Sequence, residues 1–160
     1  MSRRNVAPAR SSEVAEFLRV PTTDDVTITG VSDDTRSVSP GDLFFCVRGG
    51  NFDPHLAAAD IVAAGAVGLV VDREVEVPAG TAVIRVDDVR SIVGPVVSEL
   101  LGRPSSKVTT IGVTGTNGKT STTAFIAAIL REQGSTPVVF GTLVVLTIPV
   151  LVVLAVFQPF

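Results

Sequence analysis

The sequence predicts an α/β protein in two parts: a small amino-terminal α/β domain, then the opening strand, glycine-rich turn, helix and second strand of a parallel-sheet domain. Two observations support this fold class. Short apolar or β-branched runs alternate along the chain with segments of helical periodicity. A turn-rich stretch, Leu101–Ser106, separates the two groups of elements, and we place the domain boundary there.

The elements of the first part follow from local patterns. Three apolar runs are typical of buried strands, and two segments have helical spacing. The strands are Leu43–Val47, Val67–Val71 and Ala82–Val86, and the helices are Ala57–Ala63, before Gly65, and Val89–Leu101, which Asp88 caps. Pro40 fixes φ in the turn before the first of these strands, and Gly41 can adopt a positive φ there. We expect residues 1–10 to be disordered within an extension that ends in a short helix before residue 24.

The elements of the second part surround one glycine-rich turn. Val108–Ile111 has the β-branched composition of a strand, and Thr122–Gln133 has helical spacing and ends at Gly134. Val138–Phe140 follows as a second strand. A strand, a glycine-rich turn and a helix in this order form the context in which a P-loop pattern indicates phosphate binding.

The composition is that of a cytoplasmic protein. A net charge of −3 gives no basic patch, so nucleic acid is not expected as a partner. The single cysteine, Cys46, excludes an internal disulfide, and with His55 as the only histidine no His/Cys metal cluster can form. Residues 1–5 are basic but are followed by no apolar segment, so we expect no signal peptide. If soluble, the chain is expected to be a monomer.

The turn between Gly112 and Ser121 has the residues that triphosphate binding requires. Several backbone N–H groups must surround the phosphate oxygens, and Gly115 and Gly118 allow this approach because they lack a Cβ. The helix that opens at Lys119 directs its free N–H groups at the anion, Lys119 reaches the outer phosphates, and the Thr120 hydroxyl binds Mg²⁺. The alternative is a strand-to-helix turn that binds nothing. Val113 occupies a position where the strict pattern has glycine.

Thr-Gly-Thr-Asn-Gly-Lys-Thr resembles the ATP loop of the Mur ligases and of the related folylpolyglutamate synthetases. The upstream segment Asp34-Thr35-Arg36-Ser37-Val38-Ser39-Pro40-Gly41-Asp42-Leu43-Phe44 is similar to a signature of the Mur ligases that add the third amino acid or the terminal dipeptide, with Thr35 in place of serine. The resemblance covers residues 24–143. It implies ATP and Mg²⁺ as cofactors, Lys119 as a catalytic residue, and an ATP site made of Gly115, Thr116, Asn117, Gly118, Lys119, Thr120 and Ser121.

A third segment, Gly49–His55, resembles the family's G-x-x-x-D-G-H stretch, with Pro54 in place of glycine. The resemblance implies that this segment and the upstream signature, with the hydroxyl of Thr35, bind a UDP-linked muramoyl peptide. The substrate-binding residues it assigns are Asp33, Thr35, Gly50, Asn51 and Phe52. Because proline fixes φ and lacks an N–H, Pro54 puts the local backbone in question, and a solvated loop is the alternative for residues 49–51.

The resemblance implies an ATP-dependent ligase of peptidoglycan synthesis that joins an amino acid to the carboxylate of a UDP-muramoyl dipeptide through an acyl phosphate. The loop sequence favours the ligase that adds the third residue over the one that adds D-Ala-D-Ala. Residues 24–104 would be the UDP-muramoyl-binding domain and residues 105–143 the start of the ATP-binding domain. We expect the 160-residue chain alone to be inactive, and a non-catalytic nucleotide- or UDP-sugar-binding module remains an alternative.

Residues 144–160 are apolar, and no charged residue follows Glu132. Three interpretations compete: a membrane anchor, a buried strand pair, or a sequence that left the family by frameshift or truncation. Pro149 and the β-branched composition disfavour a membrane helix. A strand pair would need partner strands that we do not expect in the chain. We therefore prefer the third interpretation.

Overall fold

The computed structural model describes residues 3–50, 52–140 and 152–157. The chain divides into two compact units, Met1–Gly102 and Arg103–Phe160. Both units combine strands and helices, so the predicted α/β class is confirmed.

The first unit is built on a five-stranded sheet in the order β1-β2-β3-β4-β5. Its strands are β1 Arg4–Arg10, β2 Thr27–Ser32, β3 Asp42–Phe45, β4 Ala66–Val71 and β5 Ala82–Arg85. β2 to β5 are parallel, and β1 pairs antiparallel with β2. The carboxyl ends of β2 and β3 therefore lie side by side, which is where open α/β sheets bind ligands.

Helices cover both faces of this sheet. They are α1 Ser11–Leu18, α2 Ala58–Ala63 and α3 Val89–Leu100, with 3₁₀ turns at Thr35–Ser37 and Pro54–Ala57. Side chains alternate between the faces along a strand. Leu43 and Phe45 of β3 accordingly pack in one cluster with residues of α1 and α3, whereas Phe44 packs in the other with Ala58 and Ile61 of α2. The sheet is thus buried on both faces and is a rigid base for its loops.

The expectation of disorder at residues 1–10 is wrong for the part the structure describes. Residues 4–10 form the edge strand β1. Arg3 donates from Nε to the carboxylate of Asp42 at 2.8 Å, and the Asp42 side chain is fully buried. Val6 is the buried residue of this strand, so the hydrophobic pattern that normally reveals a strand is almost missing from the sequence.

The second unit contains β6 Val108–Val113, α4 Lys119–Glu132, β7 Thr136–Phe140 and β8 Val152–Phe157, and a 3₁₀ turn at Pro104–Lys107 opens it. Its strand order is β6-β8-β7, and β8 pairs antiparallel with both neighbours. Among the described residues of this unit, the hydrophobic core consists of buried Ala127, against which Ile111, Ile126 and Leu130 pack. Phe125 and Ile129 of α4 are 71% and 59% exposed. Among the residues whose burial the structure describes, unit two therefore has much less buried apolar surface than unit one.

The position of β8 corrects one expectation about the carboxyl-terminal residues. We expected no partner strands for them, but residues 152–157 pair along their length with β6 and β7. The reason is geometric: β6 and β7 are not adjacent, and the space between them accepts one apolar, β-branched strand. Within the described parts of the chain, no helix is long and apolar enough to span a membrane. Residues 141–151 and 158–160, including the predicted continuation at 141–143, lie outside the described residues.

Candidate functional site

The predicted phosphate-binding turn between Gly112 and Ser121, called the phosphate loop below, joins β6 to α4, as the sequence predicts. Gly115 has φ of +150° and Gly118 has φ of +76°, conformations that a residue with a side chain rarely adopts. Gly118 is the N-cap of α4, so its left-handed conformation sets the angle at which the helix leaves the loop. These two glycines give the turn its shape.

The loop presents donors to the space in front of α4. Thr122 N–H donates to the Gly118 carbonyl at 2.9 Å, so the N–H groups of residues 119–121 precede the first helical hydrogen bond. Lys119 folds across the loop, where its Nζ donates to the carbonyl of Gly115 and, at 3.4 Å, to that of Thr116. Free N–H groups, the positive end of the helix dipole and an ammonium group therefore converge in one place, which suits an anion.

The remaining predicted loop residues lie at the surface. Thr116, Asn117, Thr120 and Ser121 are exposed, and Lys119 is half-buried. A side-chain hydrogen bond stabilises the first turn of α4, because the buried Thr123 hydroxyl donates to the Lys119 carbonyl at 2.8 Å. A ligand approaching from solvent can thus reach every polar group of the predicted site.

Most of the predicted substrate residues meet in a cleft of about 420 Å³ at the carboxyl ends of β2 and β3. Asp33, Thr35 and Phe52 line it, and Phe52 is 52% exposed. Gly50 lies beside the cleft-lining Gly49, and Asn51 is outside the described residues. Two other cavities of the first unit, of about 430 and 580 Å³, contain none of these residues.

Pro54 replaces the family's glycine, which put the local backbone in question, but the structure accommodates proline at this position. It begins the 3₁₀ turn Pro54–Ala57, where a fixed φ is favourable and the absent N–H has no helical acceptor. Asp53 caps this turn by accepting from the His55 N–H at 3.1 Å. The loop before it is closed by the Gly49 N–H, which donates to the Phe52 carbonyl at 3.0 Å. Asp53 and Pro54–Ala57 therefore form a regular capped turn.

Three arginines that were not predicted as site residues also line the cleft: Arg36, Arg48 and Arg90. Arg36 forms a bidentate pair with Asp34, at 2.9 and 2.7 Å, and this pair lowers the pKa of the Asp34 carboxyl far below its ordinary value. Arg90 donates to the Arg48 carbonyl at 2.9 Å, so α3 holds the loop after β3. Arg36 could have been found from its place in the signature, whereas Arg90 enters the cleft only through the fold.

Two protein-family models match the sequence. The one described as Mur ligase family, catalytic domain, matches residues 27–103, and the one described as Mur ligase middle domain matches residues 113–149. The chain belongs to the Mur ligase family. The second match runs past Leu143, where we expected the resemblance to end.

Several curated Mur ligases named UDP-N-acetylmuramoyl-L-alanyl-D-glutamate–2,6-diaminopimelate ligase are similar to this chain. That of Syntrophomonas wolfei is 40% identical over 116 residues, which are 72% of this chain and 24% of the relative. That of Caldanaerobacter subterraneus is 38% identical over 118 residues, 74% of this chain and 24% of the relative. The chain thus spans about a quarter of the length of the curated relatives it matches.

Among solved structures, the chain aligns with a UDP-N-acetylmuramoylalanyl-D-glutamyl-2,6-diaminopimelate–D-alanyl-D-alanyl ligase from Acinetobacter baumannii. The alignment has 21% identity and a TM-score of 0.49, and it covers 81% of this chain and 29% of the other.

Proposed function

We propose that this chain carries the UDP-muramoyl-binding and phosphate-binding parts of a Mur ligase that adds the third amino acid, 2,6-diaminopimelate, to UDP-N-acetylmuramoyl-L-alanyl-D-glutamate. The observation that carries the proposal is the phosphate loop, in which Gly115 and Gly118 have positive φ and Lys119 Nζ lies against the loop carbonyls at the start of α4. The names of the relatives supply the substrate and the amino acid.

The phosphate loop would bind the nucleotide through residues 115–121. Backbone N–H groups at the start of α4 hold phosphate oxygens, and Lys119 exchanges its bonds with loop carbonyls for bonds with the outer phosphates. Thr120 offers an exposed hydroxyl to Mg²⁺. No group of three or more His, Cys, Asp or Glu side chains that could hold a metal occurs among the described residues.

The cleft of the first unit would bind the UDP-muramoyl peptide. Arg48 and Arg90 bring positive charge to the diphosphate, and Asp33 and Thr35 offer polar groups to the nucleoside and its phosphates. Phe52 offers an exposed aromatic ring. These assignments agree with the position of the cleft at the carboxyl ends of β2 and β3.

Binding is proposed for this chain, but ligation is not. Acyl transfer requires the acyl phosphate and the incoming amine to be aligned in a site that excludes water. Thr116, Asn117, Thr120 and Ser121 of the predicted loop are exposed, and the chain spans about a quarter of the length of its relatives. The amino acid is therefore a partner of the longer enzyme.

Calorimetry with the purified chain tests the proposal. The wild type should bind Mg–ATP and, separately, UDP-N-acetylmuramoyl-L-alanyl-D-glutamate, and it should release no ADP when diaminopimelate is added. Lys119→Ala should weaken ATP binding at least about tenfold, because a charge-assisted bond is lost. Lys107→Ala removes an exposed lysine of the same unit outside the loop and is the matched control. Equal ATP affinity in the two variants would contradict the site, and substrate-dependent ADP release would contradict the proposed inactivity.

A further inference from the structure

The single histidine of the chain lies in a charged cluster beside the cleft. The His55 side chain is 2% exposed and lies between two carboxylates. Its Nδ1 is 2.6 Å from Asp53 Oδ1, and its Nε2 is 3.3 Å from Asp72 Oδ1 and 3.4 Å from the Asp72 backbone nitrogen. Asp53 belongs to the loop after β3, whereas Asp72 follows β4 directly, so the imidazole joins two neighbouring strand ends.

The other polar neighbours of His55 belong to the same two segments. Arg73 donates to Asp53 at 3.2 Å and to Asp72 at 2.9 Å, closing a ring of paired charges. The bond from His55 is the main reason why the pKa of Asp53 is lowered. Cys46 lies nearby as a neutral thiol, because burial and then the two carboxylates raise its pKa to about 12. The Asp53 carboxylate therefore stays ionised and acts as an acceptor.

The nature of these bonds determines which ring nitrogen carries a proton. Asp53 Oδ1 also accepts the His55 backbone N–H, and an ionised carboxylate oxygen can only accept hydrogen bonds. The short contact between Oδ1 and Nδ1 therefore needs a proton on Nδ1. A neutral ring protonated there can accept the Asp72 N–H at Nε2, and a doubly protonated ring can donate to Asp72. The bond from Nδ1 to Asp53 is present in both cases.

This cluster fixes one wall of the cleft. Gly49, Phe52 and Pro54 line the cleft, and Asp53 lies between the last two. Holding the Asp53 carboxylate therefore fixes the backbone on either side of it. Because β3 and β4 are buried strands, the end of β4 gives the loop a rigid attachment.

We propose that His55 is a positioning residue whose Nδ1–H bond to Asp53 holds the cleft-lining neighbours of Asp53, Phe52 and Pro54, in the conformation that binds the UDP-muramoyl ligand. The inference rests on the proposed function of the cleft. The apparent affinity of a ligand that needs one conformation is its intrinsic affinity multiplied by the fraction of molecules that adopt that conformation. The bond of His55 therefore contributes to affinity without touching the ligand.

Two substitutions separate the hydrogen bond from simple packing. His55→Asn keeps an N–H donor near the position of Nδ1 but loses ring volume, and His55→Phe keeps the ring volume but leaves Asp53 without that donor. We expect the affinity for UDP-N-acetylmuramoyl-L-alanyl-D-glutamate to fall about tenfold in His55→Phe and less than about threefold in His55→Asn. Mg–ATP binding, which belongs to the other unit, should be unchanged in both variants.

The outcomes separate the inference from the proposed function. A wild-type chain that does not bind the UDP ligand overturns the proposed function of the cleft and the inference with it. If the wild-type chain binds the UDP ligand, two results overturn the inference alone and leave the proposed function standing. One is an affinity of His55→Phe equal to that of the wild type, and the other is a lower affinity of His55→Asn than of His55→Phe.

The wild-type protein offers a measurement that needs no variant. Because the chain has one histidine, the ¹⁵N signals of its imidazole can be assigned directly. The inference requires Nδ1 to be protonated both in the free chain and with the UDP ligand bound. A ring protonated on Nε2 alone, in either state, overturns it even if His55→Phe fails to fold.

Discussion

At the scale of single residues, aspartates recur where the backbone of the first unit needs a hydrogen-bond acceptor. Asp34, Asp53 and Asp88 each accept the N–H of the residue two positions later, at the start of a helical turn. This local bond competes with regular secondary structure and so fixes the point at which each turn begins. Two of the three caps lie in the loops of the cleft, so these carboxylates shape the candidate site through the backbone.

Asp25 leads to a prediction about acid stability. Its carboxylate pairs with Arg10 and accepts the Ser12 N–H at the start of α1, and these bonds lower its pKa from 3.8 to about 2. A carboxyl whose pKa is lowered in the folded state stabilises the protein at pH values above its pKa in the unfolded state, and this contribution disappears as the pH falls towards 2.

Asp25→Asn should therefore reduce stability at pH 6, and the difference in stability between the variant and the wild type should shrink between pH 4 and 2. Urea unfolding at several pH values measures this, with exposed Asp24→Asn as the control. A difference that does not depend on pH would contradict the assignment.

At the scale of secondary-structure elements, β1 shows how a polar segment becomes part of the fold. It is joined to β2 by the sheet and, through Arg3, to the first residue of β3. The Asp42 carboxylate also accepts the Ser39 N–H at 3.0 Å, which closes the Pro40–Gly41 turn. The Arg3 bond thus links the chain start to the turn that precedes the central strand.

Arg3→Leu should destabilise the first unit by about 2 kcal/mol, because it leaves the buried Asp42 carboxylate without its cationic partner. The free energy of unfolding in urea is the quantity to measure. Arg4→Leu is the matched control, since Arg4 is the neighbouring arginine and an exposed residue of β1, and it should change stability by less than about 0.5 kcal/mol. If the two substitutions have equal effects, Arg3 does not hold β1 in the way described.

At the scale of the whole molecule, the two units differ in their capacity to fold alone. The first buries apolar side chains on both faces of its sheet, including Phe44 and Phe45, which are fully buried. In the described part of the second, Phe125 and Ile129 remain exposed on α4, and the cluster around Ala127 is small. Apolar burial is the dominant favourable term in folding, so the stabilities of the units should differ accordingly.

A polypeptide of residues 1–102 should therefore fold by itself and unfold within a few degrees of the main thermal transition of the complete chain. Circular dichroism during heating measures both transitions. Residues 103–160 alone should show no cooperative transition. An unfolded 1–102 polypeptide, or a cooperative transition in 103–160, would contradict this division of stability.

Local chemistry made much of the fold predictable. The apolar runs at β3, β4 and β5, the Asp88 cap and the positive φ of Gly41 all depend on short-range patterns, and the structure confirms each of them. The phosphate loop was predictable for the same reason, because its two glycines and its lysine are close in sequence. The roles assigned to the loop and cleft residues stay predictions.

The features that sequence reasoning missed depend on contacts between distant residues. β1 has one buried apolar residue, so its strand character comes from pairing with β2. Arg90 reaches the loop after β3 from 42 positions away, and Asp72 lies 17 positions from His55. β8 was missed because its partners, β6 and β7, could be recognised as such only once their order in the sheet was known.

The order of strands also determines how each sheet meets other molecules. A strand at the edge of a sheet has free N–H and C=O groups that can recruit a strand from another chain. β1, at one edge of the first sheet, contains Pro8, exposed arginines at both ends and a shift of register between Asn5 and Ala9, all of which oppose such pairing. At an edge of the second sheet, β7 presents the partly exposed Val138 and Val139. Self-association of the chain should therefore begin more readily at β7 than at β1.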